Sequence, residues 1–333
     1  MCASYPKYKA TLSLNNVIKG IIFLLAVGFL IRHISENAQS VNFEFQFSGF
    51  QVLAIVAAIL LVPANWLIES WKWHILLKKT DQTSFKTAVG ATLNGLVFSS
   101  MLPNRVGETL GRTLYLSPKN RTNGAFHSLL TSAAQLTTTL IIGLLALPFY
   151  FVVIDQELSL GLSILSLSAP VLILIGYFNL KTVFKLVSNW KWVRKKLSKH
   201  NEAFGRYSNL QLIHVLSLSI FRYFIFSLQF TLLIFAFESG FSFFHAFVSI
   251  PVIYLLTTTI PSFSLAELGL RESVAVLILG ALNYSIAPIL ASTFSIWLLN
   301  IAAPTFFGLA LLLIRKLNVL PLRQNVFSGA TNR

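Results

Sequence analysis

The sequence predicts an all-α polytopic membrane protein with six full transmembrane helices and two re-entrant helical hairpins, arranged as inverted-topology repeats. The first observation is composition, because 55% of the 333 residues are hydrophobic, 11% are charged, and the mean hydropathy is +0.71. The second is that several apolar runs reach the roughly 20 residues with which a helix crosses about 30 Å of hydrocarbon. The third is the distribution of charge, which predicts the direction of each crossing.

Basic residues gather in four places along the chain: 72–86, 119–121, 181–206 and 315–323. The positive-inside rule assigns such clusters to the cytoplasm. Loops that are acidic, such as 155–157 and the neighbourhood of Glu238, then lie outside. We therefore expect residues 17–33 to cross outward and residues 49–71 to return.

Segment 86–117 is predicted to be a re-entrant hairpin, because a simple crossing there would place every later basic cluster outside. We expect it to enter from the cytoplasm, turn at Pro103 and leave on the same side. The same reasoning predicts that segment 241–283 enters from outside and turns at Pro261. The remaining predicted crossings are 123–153, 159–180, 211–237 and 286–314.

These segments predict two related halves of the chain. The predicted organisation is a cytoplasmic N-terminus (1–16), a first membrane repeat (17–153) with hairpin 86–117, a second repeat (159–314) with a cytoplasmic basic linker (181–210) and hairpin 241–283, and a cytoplasmic tail (315–333). Each half reads span, span, hairpin, span, with the hairpins entering from opposite faces. That inverted plan is common among secondary transporters.

The two hairpin tips carry related motifs. "PNRVGETLGR" begins with a proline and places Glu108 four residues before Arg112, and "PSFSLAELGLRE" does the same with Glu267 and Arg271. A proline breaks a helix, and the new helix N-terminus presents free N–H groups that attract anions. The four-residue spacing puts each acid and base on one helix face, where they can pair.

Two interpretations of these pairs stay open. Ionisable groups in hydrocarbon are costly, and they usually mark functional sites. A purely structural clamp is the alternative, and Ser264 with Glu267 also fits a capping box. Arg222 lies halfway along an apolar span, and we expect its partner to be Glu267, Glu272 or Glu108. Gln135 and Gln229 are expected to be interhelical hydrogen bonders rather than ligands.

The predicted site therefore combines binding residues with residues that shape the tips. The predicted substrate-binding residues are Arg105, Glu108, Arg112, Arg222, Glu267, Arg271 and Glu272, and the predicted tip-forming residues are Pro103, Gly107, Pro261, Ser264 and Gly269.

The motifs "LPNRVGETLGR" and "IPSFSLAELGLRES", in this order in so apolar a chain, resemble the lysylphosphatidylglycerol synthase transmembrane-domain family of flippase-like proteins. The resemblance covers roughly residues 15–315. It rests on Pro103, Arg105, Gly107, Glu108, Arg112, Pro261, Gly269, Arg271 and Glu272. It implies a multi-pass protein of a bacterial or archaeal cytoplasmic membrane, and the charge distribution predicts that both termini lie inside.

The resemblance implies a flippase that moves an anionic or aminoacylated phospholipid, or a polyprenyl-linked lipid, between leaflets. The synthases carry an aminoacyltransferase domain after the membrane part; only residues 316–333 follow here, so that activity is not expected. An intramembrane enzyme is disfavoured, since no HExxH or GxSxG motif occurs, and no metal or cofactor is expected. A non-transporting scaffold is the other alternative. The basic linker favours anionic lipid over nucleic acid as its partner.

Overall fold

The computed structural model describes residues 28, 32, 45, 47–78, 83–101, 106–188, 207–238, 240–260 and 264–315, and every regular element among them is helical. Nearly all of the predicted first span (17–33), most of the basic linker and nearly all of the tail lie outside the described residues. The helices are α1 (Gly49–Leu77), α2 (Phe85–Met101), α3 (Val106–Thr113), α4 (Arg121–Val153), α5 (Leu160–Phe178), α6 (Leu180–Ser188), α7 (Asn209–Phe237), α8 (Phe243–Thr259), α9 (Ser264–Gly280), α10 (Ile286–Trp297) and α11 (Ala303–Arg315). A 3₁₀ turn (Pro118–Asn120) precedes α4, and a π-helical turn (Leu298–Ala302) joins α10 to α11.

Five helical segments are long and apolar enough to cross a membrane. They are Gly49–Leu77, Pro118–Val153, Leu160–Phe178, Asn209–Phe237 and Ile286–Leu312. Many of their large apolar side chains face outward, which suits a surface covered by lipid rather than water. The chain is therefore an all-helical multi-pass membrane protein, and five predicted crossings match helices of spanning length.

The two segments predicted as hairpins each contain a pair of shorter helices. The first pair is α2, with 17 residues, and α3, with 8; the second is α8 and α9, with 17 residues each. All four fall short of the roughly 20 residues of a full crossing. Pro103 and Pro261 lie in the undescribed gaps between the paired helices, 102–105 and 261–263.

Glycines on α3 allow its close packing against α2. A Cβ built on Gly107 would meet the backbone of Phe98 and would lie 2.7 Å from the nitrogen of Ser99. A Cβ on Gly111 would lie 2.7 Å from the carbonyl oxygen of Asn94. Asn94 Nδ2 also donates to the carbonyl of Gly111 at 2.7 Å. The α2–α3 pair therefore depends on backbone-to-backbone contact.

Gly107→Ala is expected to destabilise the protein, because backbone atoms of α2 must move to accommodate the methyl group. Overpacking of this kind costs about 1–3 kcal/mol. Thermal unfolding of the detergent-solubilised protein should show a clear drop in Tm. Gly161→Ala is the matched control, since a Cβ there meets nothing within 4 Å. Equal Tm values for the two variants would contradict the close packing of these helices.

In both predicted halves of the chain, the first helix of the hairpin segment packs against the last span of the other half. Helices α1 and α7 pack along each other, α2 packs against α11, and α8 packs against α4. A Cβ on Gly308 of α11 would lie 2.5 Å from the carbonyl oxygen of Leu93 in α2. A Cβ on Gly143 of α4 would lie 2.9 Å from the carbonyl oxygen of Pro251 in α8. In each half, a glycine on the last span thus lets the first hairpin helix of the other half approach closely.

Helices α1 and α7 also begin in the same way. Each has a serine at its N-cap and a glutamine three residues later. Gln51 Oε1 accepts a hydrogen bond from the backbone N–H of Ser48 at 2.7 Å, and Gln211 Oε1 accepts one from that of Ser208 at 3.1 Å. Both pairs satisfy an N–H group that would otherwise lack a partner at a helix start.

Candidate functional site

A buried carboxylate on α1 holds three cations. Glu69 Oε2 lies 2.7 Å from Lys72 Nζ and 3.2 Å from Arg222 Nη1, while Oε1 accepts from Arg112 Nη2 at 2.9 Å. The side chains of Lys72 and Arg112 have no exposed surface, Glu69 is 5% exposed and Arg222 15%. Glu69 thus joins residues of α1, α3 and α7 at one point inside the bundle.

Glu108 extends this group toward the surface. Its carboxylate pairs with Arg112 one turn later on α3, and it is the most exposed of the five at 19%. Arg112 Nη1 also donates to Thr131 Oγ1 of α4 at 3.4 Å. We call Glu69, Lys72, Glu108, Arg112 and Arg222 the charged network.

Uncharged side chains from neighbouring helices complete the network. Lys72 Nζ donates to Ser219 Oγ at 3.1 Å and to Gln135 Oε1 at 3.4 Å. Arg222 donates from Nη1 to the same Gln135 oxygen at 3.2 Å and from Nε to Asn65 Oδ1 at 2.8 Å. Such partners are needed because an isolated charge is strongly disfavoured away from water.

Aromatic rings connect the network with the second hairpin segment. The guanidinium of Arg222 lies 5.2 Å from the ring centre of Trp66 and 5.9 Å from that of Phe226. Phe226 makes an edge contact with Tyr254 of α8 at 4.9 Å, and Tyr254 interacts electrostatically with Arg271 of α9. Stacking on aromatic faces stabilises a guanidinium that is largely removed from water.

The network is rich in cations and in buried N–H donors. It holds three cations and two carboxylates, so its formal charge among these five residues is one positive unit. Trp66 Nε1, Arg112 Nε and Gln135 Nε2 are buried and have no hydrogen-bond partner among the described residues. Leaving a buried donor unpaired costs about 1–3 kcal/mol. An anion with several acceptor oxygens suits this combination of charge and donors.

Three predicted binding residues meet in the network: Glu108, Arg112 and Arg222. Glu69, an acid that sequence reasoning did not name, is a carboxylate partner of Arg222, and the pairing of Arg222 with Glu267 stays a prediction because that side chain lies outside the described residues. Lys72, which the sequence analysis counted in a cytoplasmic basic cluster, lies within α1, which continues to Leu77, and is completely buried.

The other predicted site residues divide into two groups. Pro103, Arg105 and Pro261 lie outside the described residues. Gly269, Arg271 and Glu272 lie on α9, where Glu272 is half-buried. Ser264 and Glu267 lie in the first turn of α9, but their side chains are not described, so the Glu267–Arg271 pair stays a prediction.

Sequence reasoning missed Glu69 as a site residue. The available signal was "LIESWKWH", in which an acid precedes a lysine by three residues within an apolar run. The expectation for Gln229 is confirmed, because its amide bridges two other helices through Ala58 and Asn300.

These features define a class: a multi-pass helical membrane protein that carries an ionised network inside its helix bundle. The chain belongs to the family described as the lysylphosphatidylglycerol synthase TM region, and the match covers residues 16–308. This confirms the resemblance carried by the two motifs. A comparison with curated proteins finds no match. Family membership thus connects the chain with membrane regions of proteins concerned with lipids.

Proposed function

We propose that the protein is a flippase that moves a phospholipid or a lipid-linked molecule between the leaflets of a bacterial or archaeal cytoplasmic membrane, with both termini inside. The observation that carries the proposal is the charged network itself. Five ionisable side chains from three helices meet among membrane-spanning segments. Ionisable groups at such positions typically line substrate pathways.

The headgroup phosphate is the part of the lipid that the network suits best. A phosphodiester carries one negative charge and several acceptor oxygens, which complement the positive excess and the buried donors of Arg112, Trp66 and Gln135. Arg222 is the cation best able to reach a ligand, because it is the most exposed of the three. Glu108 would orient Arg112 or accept an amine of an aminoacylated headgroup.

The proposed movement is alternating access between two inverted halves. Support comes from the reciprocal contacts, in which each first hairpin helix packs on the last span of the other half through Gly308 or Gly143. The matching N-caps of α1 and α7 also support the correspondence between the two halves. One half rocking against the other about the α1–α7 contact would expose the network to each leaflet in turn. The hairpins containing Arg105, Arg271 and Glu272 would move with their own halves.

Glu108→Gln tests this function without removing a cation. We expect the variant to fold, since Glu108 is partly exposed and Arg112 keeps Glu69. Headgroup translocation in reconstituted vesicles should fall to the background rate, because the amide no longer holds Arg112 by charge. The measurement follows fluorescent or radiolabelled lipids across a panel of phospholipids and polyprenyl-linked lipids.

Glu157→Gln, in the exposed loop between α4 and α5, is the control and should retain full activity. Wild-type vesicles in which no lipid of the panel moves faster than in empty vesicles would overturn the proposal. On this proposal the protein itself makes or breaks no covalent bond in the lipid. Normal function in a variant lacking the network carboxylates would favour a non-transporting scaffold instead.

A further inference from the structure

A second line of buried polar side chains leads from Arg222 to the last membrane span. Asn65 of α1 donates from Nδ2 to Asn300 Oδ1, Asn300 donates from Nδ2 to Gln229 Oε1 at 3.2 Å, and Gln229 donates from Nε2 to the carbonyl of Ala58 at 2.9 Å. Asn65, Asn300 and Gln229 are all buried. We call these three residues the amide relay.

Arg222 fixes the direction of the hydrogen bonds at one end of the relay, and the backbone carbonyls of Ala58 and Ile296, which accept from Gln229 and Asn300, fix it at the other. A guanidinium only donates, so Asn65 must offer it an oxygen, which Arg222 Nε reaches at 2.8 Å. The amide nitrogen of Asn65 is thereby turned toward Asn300, and the same constraint passes on to Gln229. The relay ends on a backbone carbonyl, which only accepts. The orientation of Asn300 therefore depends on a residue of the charged network.

Asn300 lies where the last span departs from regular α-helix. Residues Leu298–Ala302 form a π turn, with the N–H of Ala303 bonded to the carbonyl of Leu298. Pro304 explains the irregularity, because it cannot donate to the carbonyl of Asn300, and its ring crowds that turn. π turns occur frequently at functional sites and are points at which a helix can adjust.

The helix beyond the π turn returns to the first hairpin segment. Helix α11 packs on α2 through Gly308, α2 packs on α3 through Gly107 and Gly111, and α3 carries Glu108 and Arg112. A change in the amide relay is thus connected, through packed backbone, to the other side of the charged network. This series of contacts therefore begins at Arg222 and ends at Glu108 and Arg112, which all belong to the charged network.

We propose that Asn300 is a positioning residue that couples the occupancy of Arg222 to the position of the last span against the first hairpin segment. The proposal rests on the proposed lipid-binding function of the network. When an anionic headgroup draws Arg222 away from Asn65, the amide of Asn65 loses the donor that orients it and can turn. Asn300 then loses its hydrogen bond from Asn65 Nδ2 while it keeps those to Gln229 and Ile296, and the π turn lets α11 shift against α2. Asn300 contacts no lipid; it acts through Asn65.

The experiment measures the distance between spin labels on α3 and α11. Leu110 and Leu311 are exposed and are replaced by cysteine in a Cys2→Ser background. The protein is kept in phosphate-free detergent, and short-chain phosphatidylglycerol is added; the diacylglycerol with the same chains is the phosphate-free comparison. We expect phosphatidylglycerol alone to shift the distance distribution by on the order of 2 Å or more.

Asn300→Leu should abolish this shift while saturable binding of phosphatidylglycerol persists. Thr293→Val is the matched control, because Thr293 is also buried in the same span but donates to carbonyls of its own helix; it should keep the shift. Asn300→Ala is the second variant if the leucine variant does not fold, since a methyl group neither donates to Gln229 nor accepts from Asn65. It should also lose the shift.

Several results would overturn the coupling. They are an unchanged wild-type distance, an equal shift with diacylglycerol, or a full shift in a folded Asn300 variant. The translocation assay separates this failure from that of the proposed function. Lipid movement by an Asn300→Leu variant that keeps the shift would refute the relay alone. An Asn300-dependent shift in a protein that moves no lipid would refute the flippase alone.

Discussion

Glu69→Gln is expected to destabilise the folded protein more than any other single substitution in the charged network. The glutamine keeps the size of the side chain but removes the negative charge that contacts Lys72, Arg112 and Arg222. Three cations would then lie together with Glu108 as their only described carboxylate. Removing one partner from a buried ion pair costs about 3–5 kcal/mol.

The measurement is thermal unfolding of purified protein in detergent, together with the yield of monodisperse protein. Adding Lys72→Met to Glu69→Gln tests the reason for the loss, because the double variant removes one cation along with the carboxylate. We expect it to recover part of the lost stability, since Lys72 is wholly buried and methionine fills similar space. A double variant less stable than Glu69→Gln would show that charge imbalance is not the cause.

The spans were predictable because the length of an apolar run is a local property. Five predicted crossings match described helices within a few residues, and α2 and α3 end and begin on either side of Pro103 as the motif indicates. The positive-inside rule likewise uses only local sequence, since it counts charges near helix ends. These features need no knowledge of which helices pack together.

The network was only partly predictable because burial near the end of a span depends on distant segments. Lys72 lies five residues before the end of α1, where a basic residue usually reaches the membrane surface. It is buried instead because α7 supplies Ser219 and α4 supplies Gln135. Arg222 stood out in mid-span, but its partner comes from α1, and no spacing rule connects the two.

Asn300 was missed for a related reason. A single amide in an apolar span gives a weak signal, because most such residues simply bond to a neighbouring helix. Its significance comes from its position in the π turn and from its contact with Asn65, and both depend on the packing of α10 against α7 and of the π turn against α1. Pro304 four residues later was the one local indication that the helix would widen there.

Arg112→Lys is expected to abolish most translocation while the protein stays folded. Lysine keeps the positive charge, so Glu69 and Glu108 are not left without a nearby cation. A guanidinium can bond two carboxylates and the hydroxyl of Thr131 at fixed angles, as Arg112 does, whereas an ammonium is a single point of charge on a flexible stem. Losing one charge-assisted hydrogen bond costs about 1.5–3 kcal/mol.

Since about 1.4 kcal/mol corresponds to a tenfold change in rate, the translocation rate should fall by about tenfold to a hundredfold, and the Tm should fall less than in Glu69→Gln because the positive charge is kept. Arg121→Lys is the matched control, because Arg121 lies at the start of α4, outside the charged network, and donates to the carbonyl of Leu116; it should transport normally. Wild-type rates in Arg112→Lys would mean that charge alone suffices at this position. The bridge that Arg112 makes between α3 and Glu69 would then be a structural clamp rather than part of the headgroup site.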